Sequence, residues 1–148
     1  MFCLVYRSTA SPAFGKAQIQ GMLEKARTNN QGNTITGCLL YYKGEFLQYL
    51  EGNQVKVLQL FDKIKSDSRH HTIELISHDH IETRQFKKWE MAYEDFLGDN
   101  DALQFLKLLV SSYFDGSEKP MDPNPTSKYF WRTAKRLLMA NTSGKYRR

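Results

Sequence analysis

Residues 29–52 read NNQGNTITGCLLYYKGEFLQYLEG. The opening NNQGNT is loop chemistry, in which Asn, Gly and Thr favour turns and local side-chain hydrogen bonds. Behind it, ITGCLLYY and EFLQYLEG are two apolar, aromatic runs joined across Lys43 and Gly44, which predicts a tight β-hairpin. Upstream of that hairpin, FCLVYRS predicts a strand with Tyr6 near its end. Ala17 to Arg27 then sets Ile19, Met22, Leu23 and Ala26 at helical spacing. Downstream, Val57, Leu60, Phe61 and Ile64 repeat with helical period until Ser66 and Asp67, and TIELISH predicts a further strand. WEMAYEDF then alternates Trp89, Met91 and Tyr93 against Glu90, Ala92 and Glu94, as a short last strand does. The predicted fold is α+β: a ferredoxin-like βαββαββ sheet with two helices on one face. After Gly98, Ala102 to Tyr113 and Ser127 to Ala140 predict two C-terminal cap helices, separated by a loop with Gly116, Pro120, Pro123 and Pro125. The expected division is a first domain over 1–96 and a two-helix cap with a basic tail over 97–148.

A chain of 148 residues, 41% hydrophobic and 13% aromatic, suits one folded core and is too rich in aromatic and aliphatic residues to stay disordered. No apolar run reaches the ~20 residues of a membrane span, and Met1 to Ser11 lacks the pattern of a cleaved leader, so a cytoplasmic protein is expected. Cys3 and Cys38 sit inside strand-like apolar runs and read as reduced core residues rather than a disulfide framework. From Lys128 onward there are seven cations and no acid, against a net charge of +5 for the whole chain. Such a tail is either a solvated helix face with a frayed end or an attraction for nucleic acid or an acidic partner.

His70, His71, His78 and His80 crowd one region, but no Cys and no His-x-x-x-His spacing joins them into a metal site. Phosphate loops, nucleophile elbows and Cys/His signatures are missing from the sequence, so nothing pairs a nucleophile with its base. The unusual residue is Gln48, an amide between Leu47 and Tyr49 in an apolar strand. Either it faces solvent as an ordinary strand residue, or it shares the buried face and must find hydrogen-bond partners at a cost of ~1–3 kcal/mol if it fails.

The string over 29–52, together with DSRH at Asp67 to His70, RQFKKWEM at Arg84 to Met91 and a Tyr in the opening strand, resembles the BLUF family of blue-light sensors using flavin. The resemblance covers residues 1 to about 96, and the C-terminal helices look like the cap of its short stand-alone members. It implies non-covalent binding of a flavin: FAD, with FMN or riboflavin possible. Tyr6 matches the family's tyrosine, whose hydroxyl bonds the glutamine matching Gln48, itself in contact with the flavin. Asn30 matches the asparagine that pairs with the flavin imide edge. An amide supplies donor and acceptor together for that task. Asn29, Lys63, Asp67 and His70 match positions around the ring edge and ribityl chain, and Met22 and Ile64 match the apolar residues that sandwich the ring. Trp89 and Met91 match the pair on the last strand that responds to illumination. Relatives carry Ser or His in the segment where this chain has Ala26 and Asn29, which implies ring-edge contacts different in detail. The implied photocycle moves an electron and a proton from Tyr6 and rearranges Gln48, giving a red-shifted state that signals to a separate partner protein. Self-association into a homo-oligomer is expected from the same resemblance. The length leaves no room for a cyclase or phosphodiesterase, so no enzyme is expected. The other readings are a flavin-dependent redox enzyme and a ferredoxin-like nucleic-acid-binding module using the basic tail, although no RNP-type motif supports the latter.

Overall fold

The computed structural model describes residues 1–12, 18, 21, 24–25, 28–30, 32–42, 44–86, 89–93 and 124–146, with 89–93 and 138–146 described as backbone only. The hairpin forms as expected, β2 (Thr36–Tyr42) running into β3 (Glu45–Gly52) through Gly44 at φ +79°, a left-handed conformation that favours glycine. β1 (Phe2–Ala10) pairs antiparallel with β3 on one side and with β4 (His70–His80) on the other. β5 (Trp89–Tyr93) adds in parallel to β2, giving the sheet order β4-β1-β3-β2-β5. α1 (Gln54–Lys65) follows β3 directly, capped by the Asn53 side chain accepting from the Lys56 N–H at 3.1 Å and ending on Lys63 and Lys65, where cations suit the helix dipole. The described residues between 18 and 32 that precede the hairpin are all helical, so Asn29, Asn30 and Gly32, expected in a loop, belong to the helix instead.

Both faces of the sheet are covered, which is why the central strands read as nearly continuous apolar runs instead of alternating. On one face Phe2, Leu4, Tyr6, Leu39, Phe46 and Leu50 pack with Val57 and Phe61 of α1. On the other, Cys3, Val5, Cys38, Leu40, Leu47 and Tyr49 meet Phe130, Trp131 and Ala134 of the last helix, α2 (Pro125–Tyr146). Cys3 and Cys38 are buried and not joined in a disulfide, as expected.

The α+β sheet is as expected, while several boundaries differ. α2 is longer than the predicted Ser127 to Ala140, and Pro125, assigned to the loop, is its first residue, where a missing N–H costs nothing. β4 takes in His70 and His71, ahead of the predicted TIELISH strand, because β1 offers partners as far as Ala10. An edge strand with one ladder to satisfy carries exposed polar residues that hide it from periodicity. The expected helix over Ala102 to Tyr113 lies outside the described residues. No helix among the described residues is long and apolar enough to cross a membrane.

Candidate functional site

On the α1 face of the sheet lies a cavity of about 310 Å³, at the lower end of the ~300–1,000 Å³ usual for small-molecule pockets. Tyr6 and Gln48 stand directly opposite each other across the antiparallel β1–β3 pair. The Tyr6 hydroxyl donates to Gln48 Oε1, so the Gln48 Nε2 remains as the donor on that amide. Gln48 is 3% exposed, which decides against the solvent-facing alternative. Phe61 packs on the Tyr6 ring at 5.4 Å between centroids, and burial pushes the phenol pKa well above its ordinary value, so Tyr6 stays protonated as a donor.

Asn30 closes the opposite side. Its backbone carbonyl accepts from the Ile35 N–H at 2.9 Å, fixing the turn into β2. Its side chain is 2% exposed and lines the cavity, and Nδ2 has no hydrogen-bond partner among the described residues. Leaving such a donor unpaired costs ~1–3 kcal/mol, a cost a ligand acceptor would remove. Asn29 also lines the cavity, its carbonyl taking the Asn33 N–H at 3.1 Å.

Lys63 and Ile64, in the last turn of α1, line the wall beside Asp67 and His70. Asp67 accepts from Arg69 Nε at 2.8 Å and from the Arg69 N–H at 2.9 Å, and this neighbour holds its carboxyl below the usual range. His70 brackets three elements: Nε2 donates to the Ile64 carbonyl at 2.6 Å and Nδ1 meets Ser8 Oγ at 2.7 Å. A carbonyl only accepts, so the proton sits on Nε2, and in the neutral ring Nδ1 accepts from the serine.

Eight of the expected site residues thus surround one cavity: Tyr6, Asn29, Asn30, Gln48, Lys63, Ile64, Asp67 and His70. Met22 lies outside the described residues, and Trp89 and Met91 are described only as backbone. Register nevertheless separates that pair. Tyr6, Gln48, Leu39 and Met91 occupy successive positions of one row across β1, β3, β2 and β5, whereas Trp89 stands opposite Gly37. Sequence reasoning missed Lys25, Leu39, Phe46, Leu60 and Arg69 as lining residues. Counting back from the two-residue turn would have paired Leu39 with Gln48, and Leu60 lies one helical turn before Ile64.

The sequence pattern of the BLUF family, described as sensors of blue-light using FAD, matches residues 1–92. The chain belongs to the BLUF family. It is similar to photoactivated adenylate cyclase subunit beta of Euglena longa, 31% identical over 114 residues covering 74% of this chain and 13% of that protein. It also resembles the blue light- and temperature-regulated antirepressor BluF of Escherichia coli (strain K12), 32% identical over 92 residues, 62% of this chain and 23% of the other. The chain therefore spans less than a quarter of these curated relatives. Among solved structures, the BlsA photo-activated state superposes with a TM-score of 0.62 at 27% identity, covering 93% of this chain and 94% of that one.

A BLUF cavity must take a flavin, and this one fits. The orphaned Asn30 Nδ2 matches a ring carbonyl, Leu39, Phe46, Leu60 and Ile64 supply apolar walls, and Lys25 and Lys63 supply cations suited to a phosphate. Asn30→Ala should weaken flavin affinity ~10- to 100-fold, the equivalent of one lost buried hydrogen bond. The flavin-free protein should be no less stable, since an unpaired donor has gone. Fluorescence titration with FAD and a urea melt check the two halves. An unchanged dissociation constant would detach Asn30 from the flavin.

Proposed function

We propose that this chain is a blue-light photoreceptor that binds FAD non-covalently and signals by contact with a partner protein, without catalysis. The carrying observation is the Tyr6–Gln48 hydrogen bond, buried in the wall of a cavity whose other wall offers an unpaired amide donor on Asn30. When bound, the flavin supplies a ring that blue light turns into a strong oxidant. Tyr6 is the donor of an electron and a proton on this wall. Gln48, hydrogen-bonded to that phenol, takes up the change by rotating its amide or changing tautomer, which exchanges the donor and acceptor it presents to the cavity. Asn30 holds the imide edge while this happens, and Asn29, Lys63, Asp67, His70 and the ring-sandwiching Met22 and Ile64 hold the rest of the cofactor.

The output passes along the row Gln48, Leu39 and Met91 to β5, with Trp89 beside it, and from there to residues 97–148 acting as the output segment of the 1–96 sensor. The names of the relatives support a protein partner: one is an antirepressor, and the cyclases are light-activated. The protein works in the cytoplasm and self-associates.

The purified protein should be yellow, and denaturation should release all of the flavin into solution, because the cavity is lined for hydrogen bonding and packing. Colour that stays with the unfolded polypeptide would contradict non-covalent binding. Illuminating the native protein with blue light should shift its absorption reversibly to the red. A permanent bleach, or no change, would overturn the photoreceptor reading.

A further inference from the structure

The cavity lies on one face of the sheet and α2 on the other, so any response to light at Gln48 has to cross the sheet to reach the last helix. Glu51 is the one fully buried carboxylate among the described residues, 0% exposed, and it points to the α2 side. Its two oxygens accept four hydrogen bonds. Oε1 takes the Tyr49 hydroxyl at 3.0 Å and the Gln85 N–H at 2.7 Å, and Oε2 takes the Thr36 hydroxyl at 3.1 Å and the Phe86 N–H at 2.6 Å. Burial pushes this carboxyl up from its ordinary pKa, and the four donors pull it back. Four donors around one side chain saturate a carboxylate, and a single amide or hydroxyl oxygen could not accept them all.

The bonds continue in both directions. Towards the cavity, Arg84 donates to the Thr36 hydroxyl at 2.7 Å and to the Thr34 carbonyl at 3.0 Å, and the next N–H, that of Ile35, is held by the Asn30 carbonyl. Thr34 sits at φ +59°, a strained conformation for a β-branched residue that persists only because these neighbours impose it. Towards α2, the Ser127 hydroxyl donates to Gln85 Oε1 at 2.7 Å, and Asn124, whose Oδ1 caps the helix at the Ser127 N–H, reaches the Tyr49 hydroxyl at 2.9 Å. Two backbone N–H groups of the segment leading to β5, the Thr36 hydroxyl at the start of β2 and the Tyr49 hydroxyl of β3 therefore converge on Glu51, and the first turn of α2 joins them through Gln85 and Tyr49.

We infer that Glu51 is the positioning residue that couples the cavity to the last helix, holding Gln85, Phe86 and the first turn of α2 in one arrangement in the dark and releasing them when the β3 and Asn30 sides of the cavity shift. The inference rests on the photoreceptor reading. Glu51 does not line the cavity, so it acts on the output and not on flavin chemistry.

Glu51→Gln tests this at nearly constant volume. Each carboxylate oxygen faces one backbone N–H, and whichever way the amide is turned, its NH2 must face one of them. Hydrogen exchange is followed in the full chain loaded with FAD, in darkness and under blue light. In the unmodified protein, light should raise exchange roughly tenfold at Gln85, Phe86 and the first turn of α2, the factor lost with about one hydrogen bond. Glu51→Gln should keep the full red shift, exchange at the lit rate already in darkness, and lose the light–dark difference. A second variant, Ser127→Ala, guards against a misfolded glutamine protein: it should abolish the difference in α2 and keep it at Gln85 and Phe86. A red shift with the light–dark difference intact at Gln85 and Phe86 in Glu51→Gln, intact in α2 in Ser127→Ala, or missing from the unmodified protein, would overturn the coupling alone. An absent red shift in the unmodified protein would overturn the photoreceptor reading and this inference with it.

Discussion

Tyr6→Phe should bind flavin and fail to form any red-shifted state. The substitution keeps the ring that packs against Phe61 and removes only the hydroxyl that donates to Gln48. Retention follows because Asn30 and the apolar walls remain, and loss of one hydrogen bond changes stability by only ~0.5–1.5 kcal/mol. Gln48→Leu, which deletes the amide at similar volume, should behave in the same way. Light-minus-dark absorption spectra of both variants decide the matter. A normal, reversible red shift in Tyr6→Phe would sink the assignment of Tyr6 as donor, even with the flavin still in place.

Trp131→Ala should be the most damaging single change to stability, by ~3–5 kcal/mol. Trp131 is fully buried between α2 and the sheet, with Phe130 at 5.3 Å and Phe86 at 6.0 Å between ring centroids. Truncation leaves a cavity that the two rigid rings of Phe86 and Phe130 cannot collapse into. Because the flavin cavity is on the opposite face, the folded fraction should keep its flavin spectrum while the urea midpoint falls. A loss below ~1 kcal/mol would mean that α2 does not depend on this face of the sheet.

The sheet was legible because its central strands are buried on both sides and carry long apolar runs that polar turns interrupt. Edges were less legible. His70 and His71 pair with Ala10 and Thr9 on an exposed edge strand, where no burial pattern marks them. The start of α2 was hidden by Pro125, which ends helices as readily as it starts them, and its end beyond Ala140 by the run Asn141, Thr142, Ser143 and Gly144, which reads as a helix stop. The site was legible only through motifs, since Tyr6 and Gln48 are 42 residues apart and no local pattern brings a phenol to an amide. Asn30 looked like loop chemistry until its side chain was found buried with an unpaired donor. Glu51 gave no signal at all: an acid before a glycine at the end of a strand reads as solvated, and only the tertiary convergence of Thr36, Tyr49, Gln85 and Phe86 makes it a buried acceptor.

The exchange of donor and acceptor at Gln48 is most directly tested by the infrared difference between lit and dark protein with flavin bound. A hydrogen bond draws electron density from a carbonyl and lowers its stretching frequency. On illumination a flavin carbonyl band should move to lower frequency and return in darkness, and the movement should be missing in Gln48→Leu. A band that stays fixed while the visible absorption shifts to the red, or that moves equally in Gln48→Leu, would contradict the switch.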